Sequence, residues 1–505
     1  MVGKKLGLLF LLAVVLSFLT GYFAKEIMPA FFTGKPSESF DFLTDYLGEN
    51  YYYELDSQKI DQAYIDSLYA IVESYARQHN DPYTRLFQVP QTNTSYFDEY
   101  YIGMGIEVAQ DGNRIVILEV NSQSDAFGRL LPGDYIIGVE NQGNDIYFDE
   151  LEDVSEMFSY LSPGSDTQKT VIVLTRDAIE EKMTIQLKTI LTPSVVVKNL
   201  NETEIAYLHI NNFNAYADDT YNPGTSFLFK QALAELESTI LLQQPENKTL
   251  IIDLRDNPGG ALTALHNQGT NQSVIPGIIQ DLIPRSLEKP IFSMIPRDAS
   301  LAVHFNNTRL DKKPYDIKVL VNENSASAAE VLAATLYTNG GYTVYGMPTY
   351  GKNVYQSSVS LFTYKGIEYG LTYTEGKWFY DGDKNVFDHP IPVELIPQTG
   401  YLSLETPIYP GVIGLDSVSI HLSHYQKFLN IYFEDIMIEP IRTDGYFDEQ
   451  TKAYIELYQA EHDLTLTGTL NRETAMSIYM FIKLAREEVS LDLQLQQLID
   501  IIKNA

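Results

Sequence analysis

Two short segments hold most of the side chains that could do chemistry in this sequence. The first reads Val321-Asn322-Glu323-Asn324-Ser325-Ala326-Ser327-Ala328-Ala329-Glu330. An apolar strand ends, small residues follow, and a helix begins. Small residues at such a turn leave a hydroxyl exposed and let a substrate backbone come close. The helix N-terminus adds partial positive charge where an oxyanion would form. The same residues also read as plain punctuation, because Ser327 and Glu330 make an S-x-x-E capping box, which needs no catalysis. The second segment, Thr349-Tyr350-Gly351-Lys352-Asn353-Val354-Tyr355-Gln356, sets a lysine 25 residues after Ser327. Upstream, a glycine-rich turn, Asp253-Leu254-Arg255-Asp256-Asn257-Pro258-Gly259-Gly260, follows another buried strand.

Three other motif matches lead elsewhere. Gly346 to Lys352 has the spacing of a phosphate-binding loop, but Asn353 stands where a Ser or Thr would hold magnesium, and Val354 to Tyr364 reads as strand. Ser286-Leu287-Glu288-Lys289 has S-x-x-K spacing without the S-D-N and K-T-G companions, and reads as a turn before Pro290. His421 and His424 share a helix face, but no third ligand or H-E-x-x-H accompanies them. No cofactor and no metal is expected.

Composition narrows the classes. The 505 residues suggest about three domains. The 67 acidic and 35 basic residues leave a net charge of −32, which reads as a solvated surface and argues against broad nucleic-acid binding. The absence of cysteine removes disulfides, thiolate metal sites, a Cys nucleophile and Cys lipidation. With 45% hydrophobic and 20% charged residues, the chain can build large cores.

The elements that must position these residues follow from periodicity. Lys4 and Lys5 precede an uncharged run, Leu6 to Ala24, which at about 1.5 Å per residue spans roughly a hydrocarbon core. Residues 1–24 are expected to be a signal anchor, a single transmembrane helix with its N-terminus in the cytoplasm and the rest extracytoplasmic, with a cleaved signal peptide as the alternative reading. Residues 25–95 form an N-terminal helical region, with Ile60, Tyr64, Leu68, Val72 and Tyr75 predicting an amphipathic helix over 57–78. From residue 96 to 190 the pattern is β-rich. Over 191–410 strands and helices alternate, which predicts an α/β core. Residues 418–480 are helical and contain a repeat, Gly445 to Thr451 returning as Gly468 to Thr474. The last segment, 481–505, predicts a helix from Leu484 to Ile502 whose apolar stripe suits a homodimer contact.

Together the three chemical segments resemble the C-terminal processing peptidases, a serine–lysine family of S41 type that carries an inserted PDZ domain. That family's pattern has a small-residue S-A-S-A-S-E stretch after a strand, then G-K-x-x-x-Q, and earlier an L-R-x-N-P-G-G turn. Asp81-Pro82-Tyr83-Thr84 is similar to the family's D-P-Y-S, and the resemblance runs from about residue 38 to the C-terminus. It implies an α/β core of crotonase-like ββα units, a PDZ domain and a small all-α C-terminal module.

Carried over by position, the resemblance makes Ser327 the nucleophile, Lys352 the general base and Gln356 the residue that orients the lysine. Gly259 or Gly260, with the Ala328 amide, match the oxyanion hole. The chemistry is coherent: a free lysine, pKa about 10.4, holds its proton at neutral pH, and burial in an apolar pocket can release it. Tyr350, Val354 and Tyr355 are candidates to exclude water. Asn324 and Ala329 depart from the family pattern without removing a reacting group. The stretch Ala261 to Ser300 fits poorly and leaves the cleft rim open, with His266 and His304 unassigned.

Within the β-rich module, Gly103, Met104, Gly105 and Ile106 match the family's carboxylate-binding loop, whose backbone amides cradle a peptide C-terminus. PDZ gating of the active site is implied by the same resemblance. The 445–474 repeat resembles the peptidoglycan-binding-like module, for which cell-wall binding and simple packing are both open. The expectation is a membrane-anchored extracytoplasmic serine endopeptidase that cleaves protein substrates near exposed C-termini. The alternative is a catalytically silent cell-wall scaffold.

Overall fold

The computed structural model describes residues 57–89, 99–151, 156–162, 164, 166–215, 224–266, 277–307, 309 and 311–505. The expected anchor, residues 1–24, lies outside the described residues. Among those described, no helix is long and apolar enough to cross a membrane. The chain divides into two units: Met1–Val89 with Ser358–Tyr373, and Pro90–Ser357 with Thr374–Ala505.

In the smaller unit the predicted helix forms over Ser57–Gln78. Its buried face differs from the one expected. Ile65 and Ala76 are covered, whereas Leu68 and Tyr75 are exposed, Tyr75 by 64%. The apolar stripe read from the sequence was therefore off by one position, because Ile65 beside Tyr64 lets either row serve as the covered face. After it, Asp81 closes a turn by accepting the Tyr83 amide and the Thr84 hydroxyl. The strand Arg85–Val89 then pairs antiparallel with Glu368–Thr372.

The larger unit is organised by a six-stranded sheet. Its order is Val195–Lys198, Ile205–Ile210, Thr249–Asp253, Asp316–Val321, Thr343–Gly346 and Glu394–Leu395. All neighbours are parallel except the first pair. Parallel sheets are covered on both faces, so their strands read as continuous apolar runs. Alternate side chains indeed enter different cores. Leu208, Leu250, Ile252, Val319 and Val321 pack with the helices Gly224–Leu236 and Ala328–Thr335. Tyr207, Ile251 and Leu320 pack instead against Leu495, Leu498 and Ile499 of the last helix. The three chemical segments all leave the carboxyl ends of adjacent strands, where open α/β sheets bind ligands.

The β-rich module pairs Tyr100–Gly103 with Lys188–Leu191 and builds a second, antiparallel sheet. That sheet runs Ile106–Asp111, Arg114–Val120, Tyr135–Asn141, Gln168–Leu174, Glu180–Gln186. Its core is continuous with that of the C-terminal helices Leu422–Tyr432, Glu449–Glu461 and Arg472–Ala485. Arg472 grips fully buried Asp134 with two nitrogens, each 2.7 Å from a carboxylate oxygen. The Tyr479 hydroxyl accepts the Val120 amide and donates to the Val120 carbonyl.

The sequence repeat has a physical basis. In each copy an Asx side chain caps the helix: Asp448 takes the Thr451 amide, and Asn471 the Thr474 amide. A buried glutamine from the preceding helix reads each turn. Gln426 accepts Gly445 N–H and donates to Thr451, and Gln459 accepts Gly468 N–H and donates to Thr474. Such buried amides are tolerated because their hydrogen bonds are made.

The last helix is also corrected. It does not run from Leu484 but starts at Leu493, with Asp492 as its N-cap, and ends at Lys503. Its apolar stripe is occupied within the chain: Leu495, Leu498 and Ile499 are at most 4% exposed on the sheet. The stripe is therefore not free for the homodimer contact expected from it.

Candidate active site

The turn before Ser327 is held from below. The Ser325 hydroxyl donates to the Leu254 carbonyl, and the Ala326 amide donates to the Asn257 carbonyl. These bonds tie the serine turn to the glycine-rich turn on the next strand. Ser327 itself sits at φ 56°, ψ −115°, outside the regions an L residue favours. Such a conformation costs about 1–3 kcal/mol and persists only where surroundings enforce it.

Only half of the S-x-x-E capping box forms. The Glu330 carboxylate accepts the Ser327 amide at 2.9 Å, but the Ser327 hydroxyl makes no capping hydrogen bond. The side chain is half-buried. The two readings of this segment thus separate: the glutamate serves the cap and the serine does not.

Glu330 is fully buried, and its remaining partners come from the lysine segment. Oε1 accepts the Thr349 hydroxyl at 2.8 Å and the Gly351 amide at 2.7 Å. Oε2 accepts the Lys352 amide at 2.9 Å. Burial pushes the Glu330 carboxyl above its usual range, while these four donors pull the other way. The sequence showed Glu330 only as a cap partner; nothing in its spacing pointed to the lysine.

Lys352 Nζ donates to Gln356 Oε1 at 2.8 Å. Gln356 is the third residue of the strand Val354–Tyr364, and in extended chain residues four apart lie on one face. Gln356 also donates to the Thr374 hydroxyl at 3.4 Å. The Lys352 carbonyl accepts the indole N–H of Trp378, the chain's single tryptophan, which is 1% exposed. Of the three residues expected to exclude water, Tyr355 is buried and Val354 half-buried, whereas Tyr350 is 60% exposed. Tyr350 falls outside that role because its amide, not its ring, is tied inward, to the Ser325 carbonyl. Trp378 takes the interior position; a lone tryptophan was the available signal.

The two glycines of the upstream turn divide. Gly259 has φ +102°, and a Cβ there would lie 2.8 Å from Ser327 Cβ and 2.9 Å from the Ala328 nitrogen. Only glycine fits that approach. Its amide, however, donates to Asn257 Oδ1 at 2.8 Å. Gly260 lies against Phe213, and among the described residues its amide and that of Ala328 have no hydrogen-bond partner in the chain. Unengaged amides are what an oxyanion site requires.

In the β-rich module, Gly103 ends one strand, Met104 and Gly105 form the link, and Ile106 begins the next. Gly105 has φ +69°, and a Cβ there would strike Ser124 at 2.4 Å. Among the described residues the Met104 and Gly105 amides carry no partner in the chain.

The remaining candidates resolve locally. His266 bonds the Asn306 carbonyl and His304 bonds Ser293. Burial holds His266 below the usual imidazole range. His424 pairs with Glu405, and Lys289 with Asp381. Gly346 to Lys352 leads into a strand, not a helix. Among the described residues no group of three His, Asp or Glu is placed to hold a metal ion. A polar cavity of about 620 Å³ lies beside Arg255, lined by Tyr207, His209, Asn322, Gln398 and Asp492 among others, but not by Ser327 or Lys352.

Two regions of the chain match known protein families. Residues 204–392 match Peptidase family S41, and residues 422–478 match Putative peptidoglycan binding domain. The chain is 25% identical over 430 residues to the carboxy-terminal processing protease CtpB of Bacillus subtilis strain 168, covering 83% of this chain and 80% of that protein. It is 25% identical over 437 residues to a probable CtpA-like serine protease of Staphylococcus haemolyticus, covering 85% and 77%. Among solved structures, the photosystem II D1 C-terminal processing protease aligns at 18% identity and TM-score 0.38, covering 71% of this chain and 88% of that one. The chain thus carries a peptidase S41 domain over residues 204–392 and a peptidoglycan-binding domain over residues 422–478, in the arrangement of relatives named as carboxy-terminal processing serine proteases.

Proposed function

We propose that the chain is a membrane-anchored extracytoplasmic endopeptidase that works through a Ser327–Lys352 dyad. The observation that carries this reading is the single buried carboxylate of Glu330, which accepts the amides of both residues. The neutral Lys352 amine takes the Ser327 proton as Oγ attacks a substrate carbonyl. The amides of Gly260 and Ala328, with Gly259 forming the close approach, receive the oxyanion. The proton then passes from Lys352 to the leaving amine, the C–N bond breaks, and an acyl-enzyme remains on Ser327. Water, losing a proton to Lys352, attacks that ester; Lys352 passes this proton to Ser327 Oγ as the acyl C–O bond breaks, and the product leaves as a carboxylic acid that ionises in solvent.

Gln356 holds Nζ without adding a negative charge that would keep the proton on it. The module over residues 96–190 is read as a PDZ domain. The unengaged amides at Met104 and Gly105 support its capture of a substrate C-terminal carboxylate, with the peptide added to the edge of Ile106–Asp111. Residues 418–480 are read as a peptidoglycan-binding-like module that can hold the enzyme at the cell wall, and residues 1–24 as its membrane anchor.

The test uses the purified full chain in detergent against an unstructured polypeptide with an apolar C-terminus. Cleavage is expected from the native chain and from neither Ser327→Ala nor Lys352→Met. A Lys352→Met variant that cleaves at the native rate would remove the dyad.

A further inference from the structure

Arg255 stands on the turn that leaves Thr249–Asp253, four residues before Gly259, and is 8% exposed. Its Nε–H group lies 3.0 Å from both oxygens of Asp253. Nη2 donates to Asp253 Oδ2 as well, at 2.5 Å, and both terminal nitrogens also reach the far end of the chain. They fork onto Asp492, Nη1 to Oδ1 at 3.0 Å and Nη2 to Oδ2 at 2.6 Å. Nη1 also donates to Gln494 Oε1 at 2.9 Å and to Gln398 Oε1 at 3.0 Å. Asp253 is fully buried and takes a further bond from the Tyr207 hydroxyl at 2.7 Å.

This cluster is built into the oxyanion turn, not merely near it. Asp253 Oδ1 accepts the Arg255 amide at 2.9 Å. Two residues on, fully buried Asn257 donates to the Ile210 carbonyl, accepts the Gly259 amide on its side chain, and accepts Ala326 on its carbonyl. From Arg255 to Ser327 the backbone is therefore one hydrogen-bonded frame. The C-terminal helix supplies the opposite anchor. Asp492 caps it by accepting the Leu495 amide, Gln494 donates to the Ile396 carbonyl, and Leu495, Leu498 and Ile499 seat it on the sheet.

Removing an acceptor from a buried hydrogen-bonded ion group leaves its donors short of partners, and the surroundings shift to satisfy them. Without Asp492, Arg255 stays paired with Asp253 and bonded to Gln494 and Gln398, but its guanidinium loses the two-point fork to the C-terminal helix, and Arg255 sits on the turn that presents Gly260. We propose that Asp492, with Gln494, is a positioning residue for the peptidase reaction: it fixes Arg255 and thereby the amide geometry beside Ser327. The site is then complete only while the C-terminal helix is docked. The proposal rests on the assignment of Ser327 and Gly260 made above. It also gives the C-terminal segment a second task. Through Arg472 and Tyr479 that segment grips the β-rich module, and through Asp492 it reaches the oxyanion turn.

The experiment compares kcat, KM and melting temperature of the full chain with Asp492→Ala, Asp492→Asn, Asp492→Glu and Gln494→Ala. Removing an oxyanion donor costs about 10²–10³-fold in kcat, which bounds the expected loss for Asp492→Ala. KM should stay within about threefold. Asp492→Asn and Gln494→Ala should fall between, and Asp492→Glu should recover part of the rate. A folded Asp492→Ala with kcat within about twofold of native overturns the proposal, as does a loss seen in KM alone. If Asp492→Ala does not fold, Asp492→Asn and Gln494→Ala decide by the same split, and native kcat in both overturns it. Ser327→Ala separates the two failures: if that variant still cleaves, the site assignment falls and this proposal with it. If it is inert while the Asp492 variants run at full rate, only the positioning role falls.

Discussion

Ser327 and Lys352, 25 residues apart in the chain, donate their backbone amides to the same oxygen of Glu330, each at 2.9 Å. A third amide, Gly351, and the Thr349 hydroxyl occupy the other oxygen. The two residues of the proposed dyad are thus positioned by one buried carboxylate, which never needs to touch substrate.

Glu330→Gln tests that clamp. The amide keeps one acceptor oxygen but turns an NH₂ group toward donors, so at least one buried amide loses its partner. Bonds to a charged acceptor are worth about 1.5–3 kcal/mol each, so kcat should fall by about 10- to 100-fold. Steady-state kinetics on one peptide read this directly. An unchanged kcat in a folded variant would leave Glu330 a helix cap only.

Gln356→Glu should move the acid limb of the rate profile to higher pH. A carboxylate in place of Oε1, 2.8 Å from Nζ, favours the charged amine, so a higher pH is needed to free it. The limb of kcat/KM against pH measures the shift, and no shift would mean that Lys352 does not act as the base. In the native chain activity should fall on acidification, and protonation of Glu330, whose carboxyl burial has already raised, works in the same direction.

Gly259→Ala should abolish activity and destabilise the fold. Its Cβ would enter at 2.8 Å from both the Ala326 carbonyl and Ser327 Cβ, at a φ of +102°. Overpacking of this kind costs about 1–3 kcal/mol, which a thermal melt resolves. A stable, active Gly259→Ala would contradict the packing of the two turns.

The two buried carboxyls give stability opposite dependences on pH. Burial works to raise Asp253, but the Arg255 charge beside it outweighs this and leaves it at about 2, against an ordinary 3.8. Its contribution is present above pH 3.8 and is lost as pH falls through 2, roughly 2 kcal/mol in all. Glu330 is raised, so its contribution is present below its ordinary 4.5 and fades as pH rises through its folded value. Melting temperatures of Asp253→Asn should therefore lose most of the native chain's decline between pH 4 and 2. An undiminished decline would show that Asp253 is not the group responsible.

Much of the scaffold was legible because its strands obey simple rules. Leu250 to Leu254, Ile317 to Val321 and Thr343 to Gly346 read as strands, being apolar on both faces, and the sheet explains why. The half-made cap at Ser327 was not legible, because S-x-x-E spacing is the same whether or not the hydroxyl caps. Long-range partners were also hidden: Arg255 and Asp492 are 237 residues apart, and no local period links them. The last helix was placed too early because Leu484 and Ile502 fit one apolar stripe, while Asp492, a cap by chemistry, sits between them. On the helix Ser57–Gln78, adjacent Tyr64 and Ile65 made two faces equally apolar by spacing.

The most direct test is the covalent state of Ser327. The full chain is mixed with an activated peptide ester, quenched in acid, and weighed intact, with the modified residue located by fragmentation. A single acyl group on Ser327, absent from Ser327→Ala and slowed by about 10³-fold or more in Lys352→Met, is the expected result. Substrate turnover with no adduct on Ser327, or an adduct at another residue that survives Ser327→Ala, would contradict it.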